Sequence, residues 1–139
     1  MNNILDVTDG IICQQVNCKG VMGAGLAKQI KEKYPIVYKT YRNKRGAQLG
    51  DLLIVSVSPT LFIACLYAQY SYGNYGRFTD YNAFEICLSR LKESNVHNKQ
   101  IYFPYKIGCG LGGGDWRVVS KMIKRIIPES IIVGENETT

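Results

Sequence analysis

The sequence predicts an α/β fold in which a central mixed, mostly parallel sheet is covered by helices on both faces. Three observations carry that expectation. The strand candidates are continuous apolar runs rather than alternating ones, the mark of strands buried on both faces. Helical stretches alternate with them along the chain. Glycines gather in turns that leave a strand and enter a helix, where sheets of this kind hold their ligands.

Taken in order, the turn Asp9-Gly10 leads into a buried strand over Ile11–Val16. The glycine-bearing turn Gly20 to Gly25 then opens a helix of good formers over Leu26–Lys33, which must stop before Pro35. A second helix is expected over Ile36–Lys44, closed by Gly46. Leu52–Val57 and Leu61–Tyr67 read as strands hinged at Ser58-Pro59-Thr60. Asp80–Glu93 has helical periodicity through Phe84, Cys87, Leu88 and Leu91, with Thr79 or Asp80 as its cap. Ile101–Phe103 is a strand ended by Pro104, and Trp116–Ile127 a helix with Asp115 in the cap position and Pro128 after it. Ile131–Val133 is the last strand. The polar residues 135–139 form a tail to a single domain over residues 1–134.

The 139 residues are 46% hydrophobic and 20% charged, one domain's worth of chain with enough apolar surface for a packed core. No apolar run approaches the ~20 residues of a membrane span. The start, Met1-Asn2-Asn3-Ile4-Leu5-Asp6, has neither a basic region nor a long apolar one, so a soluble, cytoplasmic protein without a membrane partner is expected. Five cysteines (Cys13, Cys18, Cys65, Cys87, Cys109) lie in apolar stretches with no CxxC pair, arguing against a disulfide framework or a zinc site. The single histidine, His97, stands in a polar stretch and reads as a solvated loop residue, which excludes a His-dependent triad or a multi-His metal centre. No metal and no cofactor are expected. The 17 Lys and Arg exceed the 11 Asp and Glu by six charges, clustered at Lys28 to Lys33, at Lys39, Arg42, Lys44 and Arg45, and at Lys121, Lys124 and Arg125. Such an excess suits anionic partners, nucleic acid among them, although solvated helix faces account for it equally simply.

Two loops carry the chemistry. The first, Asn17-Cys18-Lys19-Gly20-Val21-Met22-Gly23-Ala24-Gly25-Leu26-Ala27, follows a strand and enters a helix. Its glycines allow successive backbone N–H groups to converge on an anion, and the helix start adds further free donors. Asn17 ends the strand with an amide able to donate and accept, suited to a sugar hydroxyl. The second loop, Pro104 to Trp116, places five glycines in the seven residues Gly108 to Gly114 before a helix cap. There is no Walker lysine-serine pair and no dinucleotide fingerprint; together the loops suggest a ligand whose phosphates are gripped from two sides.

The run from Asn17 to Ala27, together with Pro104-Tyr105-Lys106-Ile107-Gly108-Cys109-Gly110-Leu111, resembles the paired signatures of macrodomains, over nearly the whole chain. The similarity is to the compact branch with yeast-type ADP-ribose-1''-phosphate phosphatases and terminal ADP-ribose protein glycohydrolases, phage-borne members above all. The resemblance implies a three-layer α/β/α macrodomain fold and an ADP-ribose cleft. It places Asn3 and Ile4 against the adenine, and Gln15, Val16 and Asn17 near the distal ribose. Met22, Gly23, Ala24, Gly25, Leu26 and Ala27 fall around the diphosphate and ribose. Ile107, Gly108, Cys109, Gly110, Leu111, Gly112 and Gly113 wrap the phosphates.

The sequence departs from that pattern at four places. Gln14 stands where the yeast-type phosphatases carry a histidine, and glutamine cannot serve as a general base near neutral pH. Gln69 stands where the glycohydrolases carry the lysine that attacks the distal ribose. Gly112 replaces an aspartate after the Gly-Cys-Gly-Leu run, leaving Asp115 as the nearest carboxylate. A complete strand, usual before the segment at Asn2 to Leu5, has only Met1 here. Asp80 is a second carboxylate, with a helix cap as its plain role. The stretch Tyr67 to Phe78 carries four tyrosines and Arg77 among glycines, a lid, a packing loop or a stacking surface.

The expected function is therefore binding of ADP-ribose with hydrolysis of ADP-ribose-1''-phosphate to ADP-ribose and phosphate. Asp115 would position or activate the water and Asn17 would orient the ribose. The alternatives are a non-catalytic reader or sponge of ADP-ribose or a cyclic nucleotide signal, which Gln14 and Gln69 favour, and an ADP-ribosyl hydrolase acting on protein or nucleic acid.

Overall fold

The computed structural model describes residues 3–73, 75–95 and 97–134. Met1, Asn2, Asn74, Val96 and the tail expected over 135–139 lie outside the described residues. A 3-10 turn, Ile4–Asp6, precedes β1 (Gly10–Asn17), α1 (Gly25–Lys33), α2 (Pro35–Asn43), β2 (Leu52–Ser56) and β3 (Leu61–Gln69). There follow α3 (Tyr81–Ser94), β4 (Ile101–Pro104), α4 (Trp116–Ile126) and β5 (Ile131–Val133). The sheet runs β2-β3-β1-β4-β5. β1 pairs in parallel with β3 and β4, β4 in parallel with β5, and β2 antiparallel with β3. It is mixed and mostly parallel, as expected. Among the described residues no strand precedes β1.

The continuous apolar strands serve two cores. In β1, Ile11 and Cys13 face one side while Ile12 and Val16 face the other; in β3, Ala64, Leu66 and Ala68 oppose Ile63, Cys65 and Tyr67. The first set packs on Phe84, Leu88 and Leu91 of α3 and on Val119 and Ile123 of α4. The second packs on Ile30 of α1 and on Val37 and Tyr41 of α2. Alternate side chains of one strand thus feed opposite helical layers, which is why the strands cannot show a polar face.

Local chemistry sets the element ends. Tyr34 closes α1, its N–H on the Ile30 carbonyl at 2.7 Å, and also starts α2, whose first residue is Pro35, where a missing N–H costs nothing. α2 ends one residue earlier than the expected Lys44. Its cap is the Lys44 N–H on the Tyr41 carbonyl, and Gly46 lies in the turn beyond, so Gly46 is not the helix's closing residue. The hinge between β2 and β3 is held by Ser58, whose Oγ accepts from the N–H groups of Thr60 and Leu61 at 3.2 and 3.0 Å. Asp80 caps α3, accepting from the Ala83 N–H at 2.9 Å, and Asp115 caps α4, accepting from the Arg117 N–H at 2.9 Å. Of the two cap candidates for α3, Asp80 serves and Thr79 is left for other work.

Candidate functional site

A cleft of about 490 Å³ opens at the carboxyl ends of β1 and β4, within the range of small-molecule sites. Gln14, Gln15, Val16 and Asn17 form its floor. One wall is Val21 with Gly23, Ala24, Gly25, Leu26 and Ala27; the other is Pro104, Tyr105, Lys106, Ile107, Gly108, Gly110, Leu111 and Gly112. Gln69, Tyr72 and Gly73 close the side.

Thirteen of the eighteen expected ADP-ribose contacts therefore meet in one place, and five do not. Ile4 is buried in the core on the α1 and α2 side, and the Asn3 side chain caps the 3-10 turn, accepting from the Leu5 N–H at 2.9 Å. The Met22 side chain points into the same core, where it anchors the first loop from beneath. Cys109 turns its thiol toward the Ile107 carbonyl, 3.4 Å away, and burial pushes that thiol up to about 11, so it is protonated and unreactive near neutral pH. Gly113 bonds back to the Gly110 carbonyl at 3.0 Å and lies outside the lining.

The first wall is shaped by Asn17. A register shift between Val16 and Asn17 turns this residue onto the α2 side, where it is 6% exposed. Its Oδ1 accepts from the N–H groups of Lys19 and Val21 at 3.0 and 3.3 Å and lies 2.8 Å from the Tyr41 hydroxyl; its Nδ2 donates to the Val21 carbonyl at 2.9 Å. The amide expected to orient a ribose is thus occupied in folding the loop, and one N–H remains for a ligand. Beyond it, the N–H groups of Gly23 to Ala27 precede the first closing bond of the helix, Lys28 N–H to the Ala24 carbonyl at 3.3 Å, and have no partner among the described residues.

The second wall is organised by Thr79, which is 2% exposed and bridges Gln69 at the end of β3. Its hydroxyl donates to the Gly108 carbonyl at 2.7 Å, and the N–H groups of Phe78 and Thr79 both donate to the Gly112 carbonyl, at 2.8 and 2.9 Å. Gly114 adds its N–H to the Gly108 carbonyl at 2.9 Å. With these carbonyls turned inward, the N–H groups of Gly108, Gly110, Leu111 and Gly112 find no acceptor among the described residues. A side chain at 112 would put its Cβ 2.7 Å from both the Gly108 carbonyl and the Thr79 hydroxyl, so the aspartate of the related pattern has no room here.

The floor carries amides. Gln15 Nε2 donates to Gln69 Oε1 at 2.7 Å and to Thr79 Oγ1 at 2.8 Å, while Gln69 Nε2 donates to the Ser71 carbonyl at 2.8 Å. Gln69 is therefore tied into the wall. Gln14, 2% exposed, donates to the Cys65 sulfur at 3.3 Å. Oε1 of both Gln14 and Gln15 is buried with no partner. Among the described lining residues Lys106 alone is formally charged, and no carboxylate or histidine is present.

Asp115 stands apart from the cleft, beside Arg117, Val118 and Lys121. Its carboxylate is held by the Arg117 guanidinium at 2.9 Å and by the Arg117 N–H, which keep its pKa below the ordinary carboxylate value. The expected water-activating group is thus a helix cap paired with arginine: it follows Gly114 in sequence but the loop carries it off the cleft wall. Asp80, likewise, is a cap. His97 is exposed and is not among the residues lining the cleft. Among the described residues no three His, Cys, Asp or Glu side chains gather as a metal site requires. No helix among the described residues is long and apolar enough to cross a membrane.

Val21, inside the first loop, lines the wall because Asn17 folds the loop beneath it. Thr79, which the sequence offers only as a helix cap, reaches the second loop across 29 residues of chain. A threonine before a helix announces a cap; only the pairing of its strand bridge shows otherwise.

No protein-family model matches the chain. It is 26% identical over 123 residues, covering 81% of this chain and 76% of its relative, to an uncharacterized 17.5 kDa protein of Enterobacteria phage T4 from the tk-vs intergenic region. Among solved structures, a protein of unknown function from Bacteroides thetaiotaomicron superposes with a TM-score of 0.86 at 22% identity, over 98% of this chain and 96% of that one. The macrodomain of Mycobacterium tuberculosis DarG does so at 0.77 and 25% identity, over 96% and 92%. Thermosipho africanus DarTG, solved in complex with ADP-ribose, does so at 0.76 and 20% identity, over 94% of this chain and 39% of that one. The element order, the layered cores and these superpositions agree: the chain has the three-layer macrodomain fold.

Proposed function

We propose that the protein binds ADP-ribose in this cleft and acts as a reader of it rather than as a hydrolase. The observation that carries the reading is that two sets of backbone N–H groups, those of Gly23 to Ala27 and those of Gly108, Gly110, Leu111 and Gly112, have no acceptor among the described residues and border one cleft, with Lys106 at its edge. Such donors bind a diphosphate without any side-chain chemistry. The similarity in fold to a DarTG structure that holds ADP-ribose supports the ligand. Hydrolysis of ADP-ribose-1''-phosphate would require a group to take a proton from the attacking water. The lining side chains are amides, tyrosines, one lysine and apolar groups, with no carboxylate or histidine among the described residues to take that proton.

One observation favours turnover as a second reading: Asp115 is held ionised at the far end of the second loop. Phosphorus NMR with ADP-ribose-1''-phosphate separates the two. The binding reading expects shifted or broadened ligand signals and no phosphate beyond a protein-free control. Release of free phosphate would establish the hydrolase. Titration calorimetry with ADP-ribose tests the ligand itself, and absence of heat at millimolar ligand would overturn both readings.

A further inference from the structure

The glycine-rich part of the second loop has few side chains to hold its shape: five of the seven residues Gly108 to Gly114 are glycines, and Leu111 is exposed. A loop so composed samples many conformations unless it is tied down, and a donor array that must be ordered at binding is a weak one. Besides the loop's own turn bonds, the stretch from Gly108 to Gly112 is tied to the rest of the fold by the Thr79 hydroxyl and by the N–H groups of Phe78 and Thr79. We propose that Thr79 is the positioning residue of the cleft, holding the carbonyls of Gly108 and Gly112 inward so that the N–H groups of Gly108, Gly110, Leu111 and Gly112 are left to the phosphates of the ligand. This rests on the ADP-ribose reading above.

The geometry supports each part. Thr79 is itself fixed by its bridge to Gln69 at the end of β3 and by its neighbour Asp80, whose N–H donates to the Ala68 carbonyl at 2.7 Å and whose carboxylate caps α3. Its position is thus set by the sheet and a 14-residue helix, the rigid parts of the molecule. The hydroxyl's polarity is also settled. It donates to the Gly108 carbonyl, an acceptor only, and so its oxygen must accept from Gln15 Nε2. Gln69 Oε1 takes the other Gln15 proton because Gln69 Nε2 is given to the Ser71 carbonyl. Two backbone carbonyls therefore dictate the direction of every bond in the chain Ser71–Gln69–Gln15–Thr79–Gly108. The close approach also accounts for the glycines: a Cβ at Gly108 would come 2.8 Å from Gln15 Oε1 and 3.3 Å from Thr79 Oγ1, and one at Gly114 would come 2.8 Å from the Gly108 carbonyl.

Thr79→Val keeps the shape and removes the hydroxyl, while Thr79→Ser keeps the hydroxyl and removes a methyl. Calorimetry with ADP-ribose is expected to show Thr79→Val weakened about tenfold and Thr79→Ser within about threefold of the native chain. A residue that only fills space would give the opposite ranking, and either that ranking or native affinity in Thr79→Val overturns the proposal. Amide NMR on the native chain gives an answer even if Thr79→Val does not fold. ADP-ribose is expected to move the amide protons of Gly108, Gly110, Leu111 and Gly112 downfield and to leave those of Gly113 and Gly114, already bonded, near their places. Binding without those downfield shifts overturns the role given to Thr79 and leaves the ADP-ribose reading standing. A native chain that binds no ADP-ribose removes that reading and this one with it.

Discussion

Lys106 holds the single formal charge among the described residues lining the cleft, and it does so from a left-handed backbone, φ +59°, that a non-glycine residue adopts at a cost of about 1 kcal/mol or more. A strained cation beside two sets of free N–H groups is where a diphosphate would gain most from a charge. Lys106→Ala is expected to weaken ADP-ribose binding about tenfold and to flatten its salt dependence; an affinity unchanged at low ionic strength would remove Lys106 from the site. The same scale decides Gly112. Introducing an aspartate by Gly112→Asp should not create chemistry, because its Cβ meets the Gly108 carbonyl and the Thr79 hydroxyl at 2.7 Å. The expected result is a loss of about 2 kcal/mol in urea unfolding, and a variant as stable as the native chain would show that the loop can open to receive a side chain.

At the scale of elements, the start of α4 separates capping from catalysis. Asp115 accepts from the Arg117 N–H and pairs with its guanidinium. Asparagine caps as well as aspartate, whereas alanine costs about 1 kcal/mol. Asp115→Asn should therefore leave thermal unfolding and the phosphorus spectrum of added ADP-ribose-1''-phosphate as they are in the native chain, while Asp115→Ala lowers stability. Native turnover that vanishes in Asp115→Asn at unchanged stability would make the carboxylate catalytic after all. The first loop behaves as an element of its own, tied to α2 through Asn17 and Tyr41. Asn17→Ala strands the Val21 carbonyl and the N–H groups of Lys19 and Val21, so it should cost stability and ligand affinity together.

The whole molecule carries its cysteines as neutral thiols. Burial raises Cys13 well above its ordinary value and pushes Cys65 and Cys87 up to about 12, against 9.0 for an unburied thiol. Between those values the unfolded chain releases protons that the folded chain keeps, so the folded state binds more protons and stability falls as pH rises. Below pH 9 both states are protonated and these groups contribute their full share. The urea midpoint in reducing buffer is therefore expected to hold steady from pH 6 to pH 8, in approximate terms, and to fall above pH 9, by at most about 1.4 kcal/mol per pH unit for each fully buried thiol. A midpoint that stays level to pH 10 would mean that the thiols ionise in the folded protein.

Legibility in the sequence followed the range of the interactions. The strands, the four helices, the Asp80 and Asp115 caps and the two glycine loops were readable because each depends on neighbours within a few residues: periodicity, a cap three positions upstream, a proline stop. The layered sheet followed from strands apolar on both faces. What side chains do at the cleft was not readable, since it depends on contacts between distant parts of the chain. Asn17 lines the cleft as expected, but most of its amide is spent on Tyr41 and its own loop; Asp115 lies off the cleft as the cap of α4; Asn3, Ile4, Met22, Cys109 and Gly113 stand outside the lining, in a turn, the core or a loop bond. Thr79 gained a place that no local pattern marks. Elements are set by local sequence, but the direction of a buried polar group is set by which partner, tens of residues away, can satisfy it, and only the folded chain decides that.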